Sequence, residues 1–215
     1  MLANMFLHYV FDMWMKRKFP QAPFERYADD GIVHCRTKEE AICIRQSLAK
    51  RFEECKLELH PTKTRIVYCK DEDRRKEEEL TEFDFLGYTF KARYIKCRDG
   101  KLRYNFIASV SKVSAKAFRT KVKEMELHRR TGCKIDILAK MLNPMVRGWM
   151  NYFGKYNPSA MKDTLLCIER RLVKWAMCKY KKFRGRRRKA EEWLCTLRKR
   201  EPKLFAHWSM IYSYC

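Results

Sequence analysis

The stretch "RYADDGIVHC", Arg26 to Cys35, sets two adjacent carboxylates, Asp29 and Asp30, between a short aromatic approach and the apolar pair Ile32-Val33. Its pattern reads as strand, turn, strand. Successive strand residues point to opposite faces, so neighbouring Asp side chains approach one site only where the backbone reverses. Gly31 is expected to supply the permissive backbone beside them. Two like charges at such a tip repel, and neither suits a low-dielectric strand. A divalent cation relieves both problems by taking oxygen ligands from each. Two readings of the turn stand at this point: a Mg²⁺ seat, or a solvated Asp-Asp-Gly turn.

Upstream of the hairpin, residues 2–18 form an amphipathic helix candidate that Pro20 and Pro23 stop. His8 and Asp12 interrupt its apolar stretch, which argues against a signal peptide. Downstream, Thr37-Lys38-Glu39-Glu40 has the form of a capping box, and Ala41, Ile44, Leu48, Phe52 and Cys55 keep one apolar face for the helix it opens. "CKLELHPTKTRIVYC", Cys55 to Cys69, then reads as short strands broken at His60-Pro61, with Ile66, Val67 and Tyr68 in the second. The charged run 71–79 has no apolar face and reads as an exposed loop or a helix start.

"FDFLGYTFKARYIKCRDGKLRYNF", Phe83 to Phe106, alternates aromatic and polar residues around Asp99-Gly100, a hairpin signal. After about residue 109 the periodicity turns helical, with segments at Ser114–His128, Ile135–Tyr152, Met161–Phe183 and Ala190–Lys199. Asn143-Pro144 marks a kink or the start of a second segment. The fold class is therefore α+β: antiparallel strands with packed helices, followed by an all-helical part.

The chain of 215 residues carries 49 Lys and Arg against 26 Asp and Glu, a net charge of +23 and a pI near 9.8. Solubility needs far less, so a polyanion is the natural partner. Nucleic acid fits better than anionic lipid, because 13% of residues are aromatic and no apolar stretch has membrane-spanning length. The 10 cysteines include no C-x-x-C pair and stand at no zinc spacing from the 5 histidines. They read as reduced thiols of a cytoplasmic protein that is not secreted.

The densest basic tract is "KKFRGRRRK", with Lys181, Lys182, Arg184, Arg186, Arg187, Arg188 and Lys189, joined by Lys179. With Tyr180 and Phe183 interleaved, it suits RNA phosphates and unpaired bases; the other reading is a solvated basic helix face. Trp149 and Phe153 recur at core spacing. Arg147 and Asn151, one turn apart on another face, either contact RNA or, for Arg147, brace the interior.

Taken in order, Tyr27-Ala28-Asp29-Asp30 with Arg26 before it, the capped helix and "LELHPTKTRIVY" resemble the palm of group II intron reverse transcriptases. "FDFLGYTF" resembles their primer-grip strands, and "LNPMVRGWMNYF", Leu142 to Phe153, the signature helix of their maturase domain. The resemblance implies a partial palm over 1–108 and a helical thumb and maturase domain over 109–215. It implies RNA-directed DNA synthesis with Asp29 and Asp30 as the catalytic pair, Asp29 being the main ligand of a two-metal Mg²⁺ site. Tyr27 is then beside the primer terminus, and Lys63 is near the incoming nucleotide or is simply a turn lysine in solvent. Phe85, Leu86, Gly87 and Tyr88 form the primer grip.

Such polymerases take a third carboxylate from an earlier palm strand. The acidic residues before Asp29 are Asp12 and Glu25, and neither has that setting. The expectation is a C-terminal portion that does not polymerise alone. Its partners would be intron RNA, an RNA template with a DNA primer, and a separate N-terminal half. The alternative is a non-catalytic RNA-binding maturase module that assists splicing. Nothing in the sequence supplies the ligand pairs of a His-Asn-His nuclease.

Overall fold

The computed structural model describes residues 2–74, 79–96 and 100–212, so Asp99 of the expected turn and residues 75–78 of the charged run lie outside the described residues. The chain divides into two compact units: Met1–Tyr68 with Glu77–Thr81, and Cys69–Lys76 with Glu82–Cys215.

In the first unit α1 (Leu2–Leu7), a π-helical turn (His8–Asp12) and α2 (Met13–Lys18) run on without a break. The Met13 N–H donates to the His8 carbonyl, five residues back. This widened turn sits at Asp12, and π-turns of this kind concentrate at functional positions. Strands β1 (Phe24–Tyr27) and β2 (Asp30–Val33) pair antiparallel, with Tyr27 opposite Asp30. Helix α3 (Lys38–Glu54) starts where Thr37 Oγ1 accepts the Glu40 N–H at 3.2 Å. Glu40 reaches back to the Arg36 N–H at 2.7 Å, one residue earlier than a standard capping box. Phe11, Met15, Ala22, Ile44 and Leu48 form the core, with Phe24 and Val33 packed against it.

Two local expectations differ from what is observed. Gly31 does not have positive φ; the turn residue that does is Ala28, at 55°. The segment Ile66 to Tyr68 forms no strand among the described residues: the Tyr68 N–H donates singly to the Leu80 carbonyl at 2.9 Å, and without a neighbouring ladder β-propensity has nothing to pair with.

In the second unit β3 (Glu82–Phe85), β4 (Tyr88–Lys96) and β5 (Leu102–Val110) form an antiparallel meander in the order β3-β4-β5. Helix α4 (Lys112–Glu124) follows directly, capped by Ser111, whose Oγ accepts the Ser114 N–H at 3.1 Å. Glu126, with φ of 45°, breaks the expected helix before a 3₁₀ turn at Leu127–Arg129. Helix α5 (Ile135–Phe153) runs through Pro144 as a single element, so no second segment begins there. The last helices are α6 (Lys162–Lys179), α7 (Arg187–Arg200) and α8 (Trp208–Ile211).

Leu127, Leu138, Leu142, Leu165, Leu172 and Trp175 are fully buried in this unit's core. Trp175 Nε1 donates to the Arg130 carbonyl at 3.0 Å, which satisfies the one polar atom the indole brings inside. Tyr88 and Ala108 belong to the same core, so the sheet packs with the helices. The change from strand to helix pattern falls near 108, whereas spatial packing parts the chain near 81.

Candidate active site and nucleic-acid interface

The β1–β2 turn consists of Ala28 and Asp29, with Tyr27 and Asp30 as the closing pair. Of the two central residues, Ala28 has a φ of 55°, in the left-handed region that costs a residue with a Cβ, and Asp29 does not. The strained position is held from outside the turn. Arg26 Nη1 donates to the Ala28 carbonyl at 2.7 Å, and the same guanidinium grips Asp12 through Nε to Oδ1 at 2.7 Å and Nη2 to Oδ2 at 2.8 Å. This bidentate pair is largely shielded, with side-chain exposures of 14% and 15%. The hydrogen bond from Arg26 holds the Asp12 carboxyl below the ordinary range, against the opposing effect of burial.

Asp29 and Asp30 are exposed. Neither has a hydrogen-bond or ion-pair partner among the described residues, although the chain carries nearly two basic residues for each acidic one. Arg26, the nearest cation in sequence, is occupied by Asp12, the Ala28 carbonyl and, at 3.4 Å, Asn4 Oδ1. Tyr27 is 65% exposed, on the strand face it shares with Glu25. Lys63 is exposed in the turn that follows Pro61 and makes no hydrogen bond or ion pair among the described residues.

The donor set tests the fit of a metal. Asp29 and Asp30 supply oxygen ligands from one hairpin, but no group of three or more His, Cys, Asp or Glu side chains is assembled among the described residues. Asp12 is committed to Arg26, and Glu25 Oε2 lies 2.6 Å from His34 Nε2. Asp29 and Asp30 thus fit as two oxygen ligands of a divalent cation.

The expected primer-grip residues form the β3–β4 hairpin. Phe85 and Tyr88 close it, and Leu86 and Gly87 turn with φ of 50° and 79°, as a type I′ turn requires. Both turn carbonyls are bonded. Ser111 N–H and Ser114 Oγ donate to the Gly87 carbonyl at 2.9 and 3.0 Å, and Tyr152 Oη donates to the Leu86 carbonyl at 2.9 Å. Tyr88 Oη returns a hydrogen bond to the Tyr152 carbonyl.

Arg147 and Asn151 are exposed on α5, which removes the buried-brace reading of Arg147. Lys140 and Lys155 are exposed near the two ends of the same helix. Lys181, Lys182, Arg184, Arg186, Arg187, Arg188 and Lys189 are likewise exposed. Arg187 pairs with Glu191 at 2.8 Å and Arg188 with Glu192 at 3.2 Å, ordinary i,i+4 pairs of an exposed helix. Three members of the expected cluster leave it. Lys179 donates to the Thr131 and Cys133 carbonyls at 2.6 and 2.9 Å. Phe183 is 6% exposed and packs with Tyr180 and Trp193, so those rings serve the core and not RNA bases.

Two family models match this chain. One, described as reverse transcriptase (RNA-dependent DNA polymerase), covers residues 1–90; the other, described as group II intron, maturase-specific domain, covers residues 115–193. Together they span more than three quarters of the 215 residues, in the order the motifs stand. The chain belongs to the group II intron reverse transcriptase/maturase family. A comparison with curated proteins returns no match. Membership in the reverse transcriptase family implies dependence on divalent metal, and the maturase domain implies binding of group II intron RNA.

Within this reverse transcriptase/maturase, sequence reading misses the residues that act on the backbone. Arg26 is legible as a neighbour of Asp29-Asp30 but not as a clamp on Ala28, because its partner Asp12 lies on a helix 14 residues earlier. Ser111, Ser114 and Tyr152 give no local signal of binding the turn at 86–87. The Ser at a strand-to-helix junction is the available cue.

Proposed function

We propose that this reverse transcriptase/maturase uses Asp29 and Asp30 as the carboxylate pair of a Mg²⁺-dependent, RNA-templated DNA polymerase site. The third carboxylate comes from a segment outside these 215 residues. One observation supports this above the others: in a strongly basic chain, two adjacent carboxylates have no partner among the described residues, on a turn whose neighbouring arginine is locked onto Asp12 and the Ala28 carbonyl. A solvated turn needs no such clamp. Bound there, Mg²⁺ would supply charge stabilisation for the attacking and leaving oxygens of nucleotidyl transfer. Tyr27 would border the primer terminus, Lys63 the incoming triphosphate, and the Phe85–Tyr88 hairpin the primer strand.

A second reading is favoured by the exposed basic residues of α5, the 181–186 turn and α7. They suit intron RNA phosphates and serve a maturase role in splicing without DNA synthesis.

Primer extension on an RNA template separates the two readings. The chain is assayed alone and mixed with a reverse transcriptase segment that carries the first palm Asp. Mg²⁺-dependent synthesis is expected from the mixture and from neither part. Synthesis by the chain alone would show that Asp12 or Glu25 completes the site; no synthesis from any matched mixture leaves the maturase role.

A further inference from the structure

One face of the three-stranded sheet is apolar along most of its length. The register Tyr88↔Val110, Phe90↔Ala108, Ala92↔Phe106 and Tyr94↔Tyr104 places these residues together, because alternate strand positions share a face. Near the Leu86-Gly87 turn this face is core, with Tyr88 and Ala108 only 7% and 5% exposed. Further along, Phe83 stacks on Phe90 with ring centroids 5.0 Å apart. At the far end the face emerges into solvent: Tyr94 is 73% exposed and Leu102 68%.

The two tyrosines there are a built pair. The Tyr104 N–H donates to Glu72 Oε1 at 3.2 Å, turned away from β4, so Tyr94 and Tyr104 occupy a non-hydrogen-bonded position, where side chains come closest. Their ring centroids are 4.9 Å apart. Lys91, Arg93 and Arg103 stand at the alternate positions of these strands, on the opposite face of the sheet, where Lys91 Nζ pairs with Glu82 at 3.3 Å.

We propose that Tyr94, backed by Tyr104, is a stacking platform for unpaired RNA bases. Planar bases stack on exposed aromatic rings, and a chain of net charge +23 complements a polyanion. A pair that served only the sheet would gain nothing from exposing its outer ring. This inference rests on RNA being the partner of the chain, and it adds a site outside the segment matched by the maturase model.

The test is fluorescence anisotropy with the full chain at fixed salt, using an unstructured RNA of about 12 nucleotides and a blunt RNA duplex as probes. Tyr94→Ala is expected to weaken binding of the unpaired RNA about tenfold and to leave the duplex unchanged, while Tyr94→Phe behaves as wild type. Circular dichroism controls for folding, and retention by the Phe variant distinguishes a lost ring from a lost fold. Unchanged affinity of Tyr94→Ala for the unpaired RNA overturns the platform, as does an equal loss on both probes. A change in sedimentation mass without a change in RNA affinity also overturns it, in favour of a second copy of the chain. Failure of the wild type to bind either RNA would overturn the RNA reading itself.

Discussion

The Tyr152 hydroxyl donates to the Leu86 carbonyl at 2.9 Å, from the end of α5 to the turn between β3 and β4. Tyr88, the first residue after that turn, donates to the Tyr152 carbonyl in return. The helix that carries the maturase signature thus holds the hairpin that reads as the primer grip.

Removing the hydroxyl alone tests this link. Tyr152→Phe keeps the ring, which packs edge-on against Phe153 at 4.7 Å, and loses the bond to Leu86. A cost of about 0.5–1 kcal/mol is expected, because Tyr152 is half exposed and water competes for the carbonyl. Thermal unfolding of the variant should show a midpoint lower by a few degrees; an unchanged midpoint would mean that the bond contributes nothing.

The same turn predicts a contrast between two glycines. A Cβ on Gly87 would lie 2.8 Å from Ser114 Oγ and 3.3 Å from Phe153 Cζ, at a φ of +79°. Gly100 has the same φ with open space around it. Gly100→Ala should cost only the left-handed backbone penalty, about 1 kcal/mol. Gly87→Ala adds a clash with the serine that holds the turn and should cost clearly more, of order 2–3 kcal/mol. Equal losses in urea unfolding would contradict the close packing at Gly87.

Asp12 and Arg26 give the first unit a pH dependence of definite sign. The folded Asp12 carboxyl titrates below its unfolded value, so its stabilisation is complete above about pH 4 and is lost as pH falls through the folded value. Asp12→Asn should cost on the order of 1–3 kcal/mol at neutral pH and should remove that part of the acid sensitivity. Amide hydrogen exchange in β1 and β2 reports it: faster exchange is expected at neutral pH, and a smaller difference from wild type near pH ~3.

Much of this architecture is legible in the sequence where the signal is local. Thr37 and Glu40 announce α3, the alternation of aromatic and polar residues from Phe83 announces strands of the sheet, and the spacing of Trp149 and Phe153 announces the inner face of α5. What escapes depends on residues distant in sequence. The 180–183 segment looks like an aromatic and basic RNA motif, yet Trp175 and Trp193 claim its rings, and the Thr131 and Cys133 carbonyls claim Lys179. Arg26 and Tyr152 bond to backbone carbonyls, and no side-chain pattern records where a carbonyl will point.

The basic residues that remain exposed predict the salt response. Replacing Arg186, Arg187 and Arg188 by Ala should flatten the dependence of log affinity on log salt for structured RNA, by up to about 0.7–0.9 for each phosphate no longer neutralised. Arg187 and Arg188 are partly neutralised by Glu191 and Glu192, so a change nearer two phosphates than three is expected. An unchanged slope would remove this segment from the RNA interface.

If Asp29 and Asp30 carry polymerase chemistry and not RNA affinity, Asp29→Ala separates the two most directly, in the mixture of this chain with a segment bearing the first palm Asp. Primer extension and intron RNA binding are measured on the same preparation. Loss of DNA synthesis by at least about a hundredfold with unchanged RNA affinity is predicted, because the turn is exposed and the Asp29 carboxylate has no partner to lose among the described residues. Synthesis that survives the substitution would contradict the assignment.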